Sequence, residues 1–220
     1  MRDILRSMAL DHRIMKRNYP ILAGFYALAV VLSVVAKAPF LAVAITMVLT
    51  APFIGTYFSL YEKNRLDRLY GSLPLGRSSV VVGRYAYAFV MMLANVAASL
   101  LLGLFLSLFV QDTATPFLTS VIVAGGFLYA CLFFAFLLPL YFKVSFSKVY
   151  VFVNLPFYLV VIAGLLLVKK TDILTSLQPT IKYFMDNPAM VWVVGIGIGL
   201  VLLGASLPLS IAFHKSRESA

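Results

Sequence analysis

The sequence predicts an all-α integral membrane protein with six transmembrane helices. Three observations predict it. Hydrophobic residues make up 62% of the 220, and charged residues only 12%. The mean hydropathy is +0.99, and a soluble domain of this size does not hide so much apolar surface. Six apolar runs approach the ~20 residues that cross the ~30 Å of bilayer hydrocarbon. These runs are continuously apolar, whereas the strands of a membrane barrel alternate at every second residue.

Residues 1–19 precede the first run, and their spacing predicts a helix. At 100° per residue Met1, Ile4, Leu5, Met8 and Met15 share one face, and Arg2, Arg6, Arg13 and Arg17 share another. Such a helix lies in the membrane interface, its apolar side among acyl chains and its basic side toward anionic lipid headgroups. Pro20 opens the first span, where its missing N–H costs little. The spans are predicted at about residues 20–36, 40–60, 85–110, 117–142, 149–168 and 189–213. The leading segment is too polar for a cleavable signal, so the first span is expected to remain as an anchor.

A dense charged island separates the second and third spans. It reads YEKNRLDRLYGSLPLGRSSVVVGRY over residues 61–85 and holds Lys63, Arg65, Arg68, Arg77 and Arg84. Continuing the helical count, Glu62, Leu66, Leu69, Tyr70 and Leu73 share a face, and Gly71 and Pro74 stop the helix. Ser78 and Ser79 are candidate caps for the next helix. Run on to Val110, that helix is ~48 Å long at ~1.5 Å per residue, so its first turns project from the membrane. The prediction is a helical hairpin over residues 61–84 with a short amphipathic helix at its tip.

Further along, the fourth span carries Gly125, Gly126 and Ala130, and the last carries Gly195, Gly197, Gly199 and Gly204. The GxxxG spacing of Gly195 and Gly199 permits close helix approach, either within the chain or at a dimer seam. Residues 169–188 form the one sizeable outer segment. Ile173, Leu174, Leu177, Ile181, Tyr183 and Phe184 make it too apolar for a solvated linker, and a short helix on the outer surface is expected.

The net charge is +10, yet it sits beside spans and reads as membrane orientation, with no nucleic acid implied. With the N-terminus inside, segments 1–19, 61–84, 143–148 and the tail 214–220 hold 5, 5, 2 and 2 Lys or Arg, against four outside. Both termini are then cytoplasmic in a multi-pass protein.

Absent motifs exclude several chemistries. There is no GxxxxGK[ST], so the chain does not bind ATP through a P-loop. There is no HExxH or paired-Cys spacing, so no metal site and no catalytic residues are assigned. No acid falls near the middle of a predicted span, where ion-coupled carriers bind their coupling ion. Asn95 and Asn154 are the strong polar groups within the spans, as pathway or helix-packing residues. A six-span protein with no energy source of its own and a structured polar hairpin points to a soluble partner that supplies the energy.

The hairpin also resembles a family. Tyr61-Glu62-Lys63-Asn64, then Leu66-Asp67-Arg68-Leu69, Ser72-Leu73-Pro74, Arg77 and the Val80-Val81-Val82-Gly83-Arg84-Tyr85 entry into the third span are similar to the segment after the second span of ABC type-2 permeases. The closest likeness is to small bacterial permeases that export amphipathic peptides such as phenol-soluble modulins or give immunity to peptide bacteriocins. The motif covers about 25 residues, and the span count extends the likeness loosely over the chain.

The resemblance implies a bacterial plasma-membrane location and two paired permease chains, each served by a separate cytoplasmic ABC ATPase that carries the ATP and Mg. The short helix of the hairpin becomes a coupling helix. Glu62, Asn64, Arg65, Asp67, Arg68 and Arg77 become candidate ATPase contacts, with Leu66, Leu69, Leu73 and Pro74 holding the hairpin together. Two other readings compete: a secondary carrier of lipophilic compounds, and a non-transporting immunity or scaffold protein.

Overall fold

The computed structural model describes residues 2–64, 77–110, 116–144 and 171–218, and every described element is helical. The elements are α1 (Arg2–Met15), a 3-10 turn (Lys16–Asn18), α2 (Tyr19–Val35), α3 (Phe40–Lys63), α4 (Arg77–Ser107), α5 (Pro116–Lys143), α6 (Thr171–Asp186) and α7 (Pro188–Glu218). Among the described residues, four segments are long and apolar enough to cross a membrane: Asp3–Val35, Ser78–Ser107, Phe117–Lys143 and Pro188–Phe213. In α3, Phe40–Leu49 is a shorter apolar stretch. The fifth predicted span, residues 149–168, lies outside the described residues.

Local chemistry sets the helix ends. α2 starts on Tyr19 and Pro20. It closes when Ala38 N–H donates to the Ser33 carbonyl (3.0 Å) and Lys37 N–H to that of Val34 (3.2 Å). Lys37 takes a left-handed φ of 52° there, the conformation this paired closure requires. α3 stops at Asn64, whose backbone N–H and side-chain amide both donate to the Leu60 carbonyl, at 3.0 and 2.9 Å. Asn187 ends α6 in the same way on Tyr183. α4 begins at Arg77, so Ser78 and Ser79 lie inside its first turn rather than capping it. Free N–H groups in a first turn make serine acceptable there. Its 31 residues span ~46 Å, so hydropathy marked only the part of it that suits lipid.

α5 is the central helix. Of its most apolar 18 residues 61% are buried, against 11–22% in the other three candidate spans. A helix apolar on all sides is covered either by protein or by lipid, and α5 is the one of these four covered mainly by protein. Phe127, Phe133, Phe134, Leu137, Leu138 and Cys131 from α5 join Phe53 of α3, Met92 of α4 and Met15 of α1 in the main core. Two smaller clusters continue it toward the opposite end: Val43, Met47 and Val123, and Ala29, Ala42 and Leu106.

Small residues let the helices close on one another. A Cβ on Gly126 would sit 2.6 Å from Met47, and one on Gly103 would sit 2.7 Å from Val43. A Cβ on Gly195 would be 3.0 Å from Ala124, and one on Gly199 would be 2.9 Å from Cys131 Sγ. The GxxxG pair is thus spent on packing within the chain, against α5. Gly197 and Gly204 face open space. Much of α2, α4 and α7 presents exposed apolar side chains such as Val35, Leu101, Phe105, Val193 and Val201.

Gly199→Val should lower thermal stability in detergent by about 1–3 kcal/mol, because the α5–α7 seam has no room for the added methyls. Gly197→Val, on the open side of the same helix, should change it by less than about 0.5 kcal/mol. Equal losses from both variants would contradict the seam.

Candidate functional site: the base of the hairpin

Among the described residues, the buried charged side chains, Arg84 and Asp11, stand at the end of the bundle where α3 stops and α4 starts. Arg84 lies in the early turns of α4 and is only 6% exposed. Its guanidinium carbon stands 4.2 Å from the centre of the Tyr61 ring on α3 and 5.2 Å from that of Phe142 on α5. A planar, weakly hydrated cation stacked on aromatic faces is stabilised by the ring quadrupoles, and more so where water is excluded. Arg84 therefore joins both feet of the hairpin to the end of the central helix. The sequence reading set it in the first turns of the helix expected to project from the membrane, and nothing in the pattern marked it as buried.

The next residue reaches a different helix. The Tyr85 hydroxyl lies 3.0 Å from Ser206 Oγ and 2.7 Å from Ser210 Oγ, two serines one turn apart on α7. Arg84 and Tyr85 point about 100° apart around α4, so adjacent residues grip α5 and α7 separately.

α1 docks beside this base. Ser7, Asp11 and Met15 are fully buried, one turn apart along a single face. A Cβ on Gly83 would lie 2.8 Å from Ser7, so that glycine is what admits α1 against α4. His12 Nδ1 shares a hydrogen bond of 2.8 Å with Tyr19, and the His12 ring stands edge-on 6.4 Å from that of Tyr87. Asn18 Nδ2 donates to Thr56 Oγ1 of α3 at 3.2 Å. The buried face is thus rotated from the predicted methionine–leucine stripe toward Ser7 and Asp11, and Leu5 of that stripe remains 62% exposed. The basic face stays outward, with Arg6, Arg13, Lys16 and Arg17 exposed. The physical reason for the rotation is the neighbour: a glycine on α4 offers close contact to a small side chain.

The predicted contact residues divide. Glu62 is half-buried near the foot of α3, and Asn64 is exposed with its amide turned onto its own helix end. The backbone of Arg77 opens α4. Arg65, Leu66, Asp67, Arg68, Leu69, Leu73, Pro74 and Asn154 lie outside the described residues.

A second polar group sits deeper, toward the middle of the helices. Asn95 is buried; its Oδ1 accepts from the Tyr26 hydroxyl of α2 at 2.5 Å, and its Nδ2 is 3.4 Å from the Thr46 carbonyl of α3. The Thr46 hydroxyl contacts Ser99 Oγ at 2.8 Å and the Ala42 carbonyl at 2.7 Å. Asn95 here registers three helices by hydrogen bonds, and the group contains no acid or base. Among the described residues no cluster of His, Cys, Asp or Glu is suited to a metal ion.

A model of the ABC-2 family transporter protein matches residues 8–215 of this chain. The chain belongs to that family. It is a multi-pass membrane protein and the permease subunit of an ABC transporter, a kind of subunit that works with an ABC ATPase. No curated protein and no solved structure matches it. The base built around Arg84 stands at the end of the bundle where α3 stops and α4 starts.

Tyr26→Phe and Asn95→Leu should each destabilise this ABC-2 permease by about 1 kcal/mol, since each strands a buried polar partner. The double variant should cost less than the sum. A thermal-unfolding double-mutant cycle checks this, and strict additivity would mean the two groups do not interact.

Proposed function

We propose that this permease exports amphipathic peptides from a bacterial cell in the manner of the phenol-soluble-modulin exporters, driven by a separate ATPase. The observation that carries the reading is the placement of the buried charge. Asp11 and Arg84, the charged residues among the buried side chains described, stand at the hairpin end. The Asn95 group deeper in the bundle is neutral and closed on itself. A path between permease chains with such neutral walls suits an apolar or amphipathic solute better than a small ion, whose coupling site needs a charge at that depth.

In this reading the segment over residues 61–84 is the cytoplasmic coupling hairpin. Glu62, Asn64, Arg65, Asp67, Arg68 and Arg77 face the ATPase, with polar complementarity setting register and selectivity. Leu66, Leu69, Leu73 and Pro74 hold its shape. Six spans are supported by the direction of the helices. Gly195 packs on Ala124, Gly199 on Cys131 and Phe213 on Lys143, so α5 and α7 run the same way, and an odd number of crossings separates them. With α2, α3, α4, α5 and α7 as spans, one crossing between α5 and α7 completes the count. The excess of Lys and Arg at the hairpin end puts both termini in the cytoplasm. The exposed basic face of α1 meets anionic lipid, and the exposed apolar faces of α2, α4 and α7 meet lipid and a second permease chain.

Co-expression with its ATPase tests the reading. The pair should copurify, and inverted vesicles should accumulate an amphipathic helical peptide with ATP even when the proton gradient is collapsed. Arg65→Glu combined with Arg68→Glu should weaken copurification at least ~10-fold, as expected when like charge replaces complementary charge at an interface. Undiminished copurification of that variant would remove the docking assignment. Uptake that follows the proton gradient instead of ATP would favour a secondary carrier, and protection of cells without uptake would favour an immunity protein.

A further inference from the structure

The ends of α5 and α7 at the hairpin side share a feature that the packing alone does not use. Each helix holds an internal proline, Pro139 in α5 and Pro208 in α7. The two helices run in the same direction, with Gly195 against Ala124, Gly199 against Cys131 and Phe213 against Lys143. Carried along this register, Pro208 falls at the level of Pro139. A proline in a helix removes the hydrogen bond to the carbonyl four residues earlier and crowds that carbonyl, which makes the position a bending point. The carbonyls released are those of Ala135 and Gly204, and Gly204 has open space beside it. Two parallel helices thus have their weak points side by side.

On the far side of that level α7 is seated on α5 through Gly195 and Gly199. On the hairpin side the grips belong to α4. Arg84 stacks against Phe142, past Pro139, and Tyr85 shares its hydroxyl with Ser206 and Ser210, which straddle Pro208. Lys143 Nζ stands 4.8 Å from the Phe213 ring and joins the two ends to each other.

We propose that Pro139 and Pro208 form a common flexion level, and that Arg84 and Tyr85 are positioning residues that carry hairpin movement to the ends of α5 and α7 beyond it. This rests on the reading of the hairpin as the ATPase-facing element. Movement of α4 along or across its axis pulls Phe142 through Arg84 and the Ser206–Ser210 turn through Tyr85. The glycine-seated remainder of the α5–α7 pair resists, so the bend concentrates at the prolines. Two helices answer one hairpin because the two gripping residues are neighbours in sequence.

Hydrogen–deuterium exchange on the permease–ATPase complex in lipid nanodiscs tests this, first without nucleotide. Tyr85→Phe should speed exchange of residues 205–213 about tenfold, the effect of one or two lost buried hydrogen bonds, while residues 190–199 stay as in the unaltered protein. Ser206→Thr with Ser210→Thr keeps both hydroxyls and should retain the slow exchange. Trapping with ATP and vanadate should alter residues 77–88 and 205–213 together in the unaltered protein. In Tyr85→Phe it should alter residues 77–88 alone, a separation that a merely structural role of the tyrosine would not produce. Unchanged exchange at 205–213 in Tyr85→Phe, or equal acceleration along the whole of α7, would overturn the proposal. A nucleotide response missing from residues 77–88 in the unaltered complex would overturn the coupling of the hairpin to ATP, while the nucleotide-free comparison still decides the clamp.

Discussion

Helices in lipid gain little from hiding apolar surface on one another, because the acyl chains are as apolar as leucine. Association then depends on close contact, and in this chain close contact is concentrated around α5. Its flanks receive Gly195 and Gly199 of α7 at Ala124 and Cys131, and its own Gly126 receives Met47 of α3. Remove that fit and the main core of Phe127, Phe133, Phe134 and Leu137 loses its neighbours. The exposed positions of α2, α4 and α7 carry no such requirement, which is why bulky branched residues occupy them freely.

The polar interactions described between helices each fix a relation that apolar packing leaves loose. Tyr26, Asn95, Thr46 and Ser99 set the relative height of α2, α3 and α4. Arg84 and Tyr85 set α4 against the ends of α5 and α7. Ser7 against Gly83 sets α1. A stranded hydroxyl or amide has no water to turn to in such surroundings, so these contacts discriminate among registers that van der Waals packing alone would tolerate. Membership of the ABC-2 family gives this arrangement a setting, a permease that works with an ABC ATPase; in the proposed function the base of the α3–α4 connection is where that subunit's motion enters the membrane helices.

Helix positions were legible because hydropathy and helix termination are local. Pro20 opening α2, α5 within a residue of the predicted fourth span, and α7 opening one residue before the predicted sixth follow from runs of side chains and the stops beside them; α7 runs on five residues past that span, to Glu218. Hydropathy placed the third span only from residue 85, since a helix can leave the bilayer and continue; the serines at 78 and 79 brought the expected start within two residues of Arg77, although they lie inside the first turn. The candidate site was legible as a charged island and hardly at all as a geometry. Arg84 looked like one of five basic residues there, and Tyr85 marked only the start of a span. Nothing in their neighbours along the chain announces Phe142 or Ser210 as partners.

The sequence by itself determined the class of protein and the helical segments among the described residues, and it marked the charged connection between the second and third spans. Composition and periodicity carry those because each is a property of a residue and its neighbours within a turn or two. The tertiary structure alone decided which face of α1 is covered, that the GxxxG pair of α7 serves α5, that Asn95 ties three helices, and that Pro139 and Pro208 lie level. Helical periodicity says which residues share a face, but where every face is apolar it does not say which helix will cover it. That choice falls to shape, in the fit of a glycine against a serine, a cysteine or a methionine from a distant part of the chain.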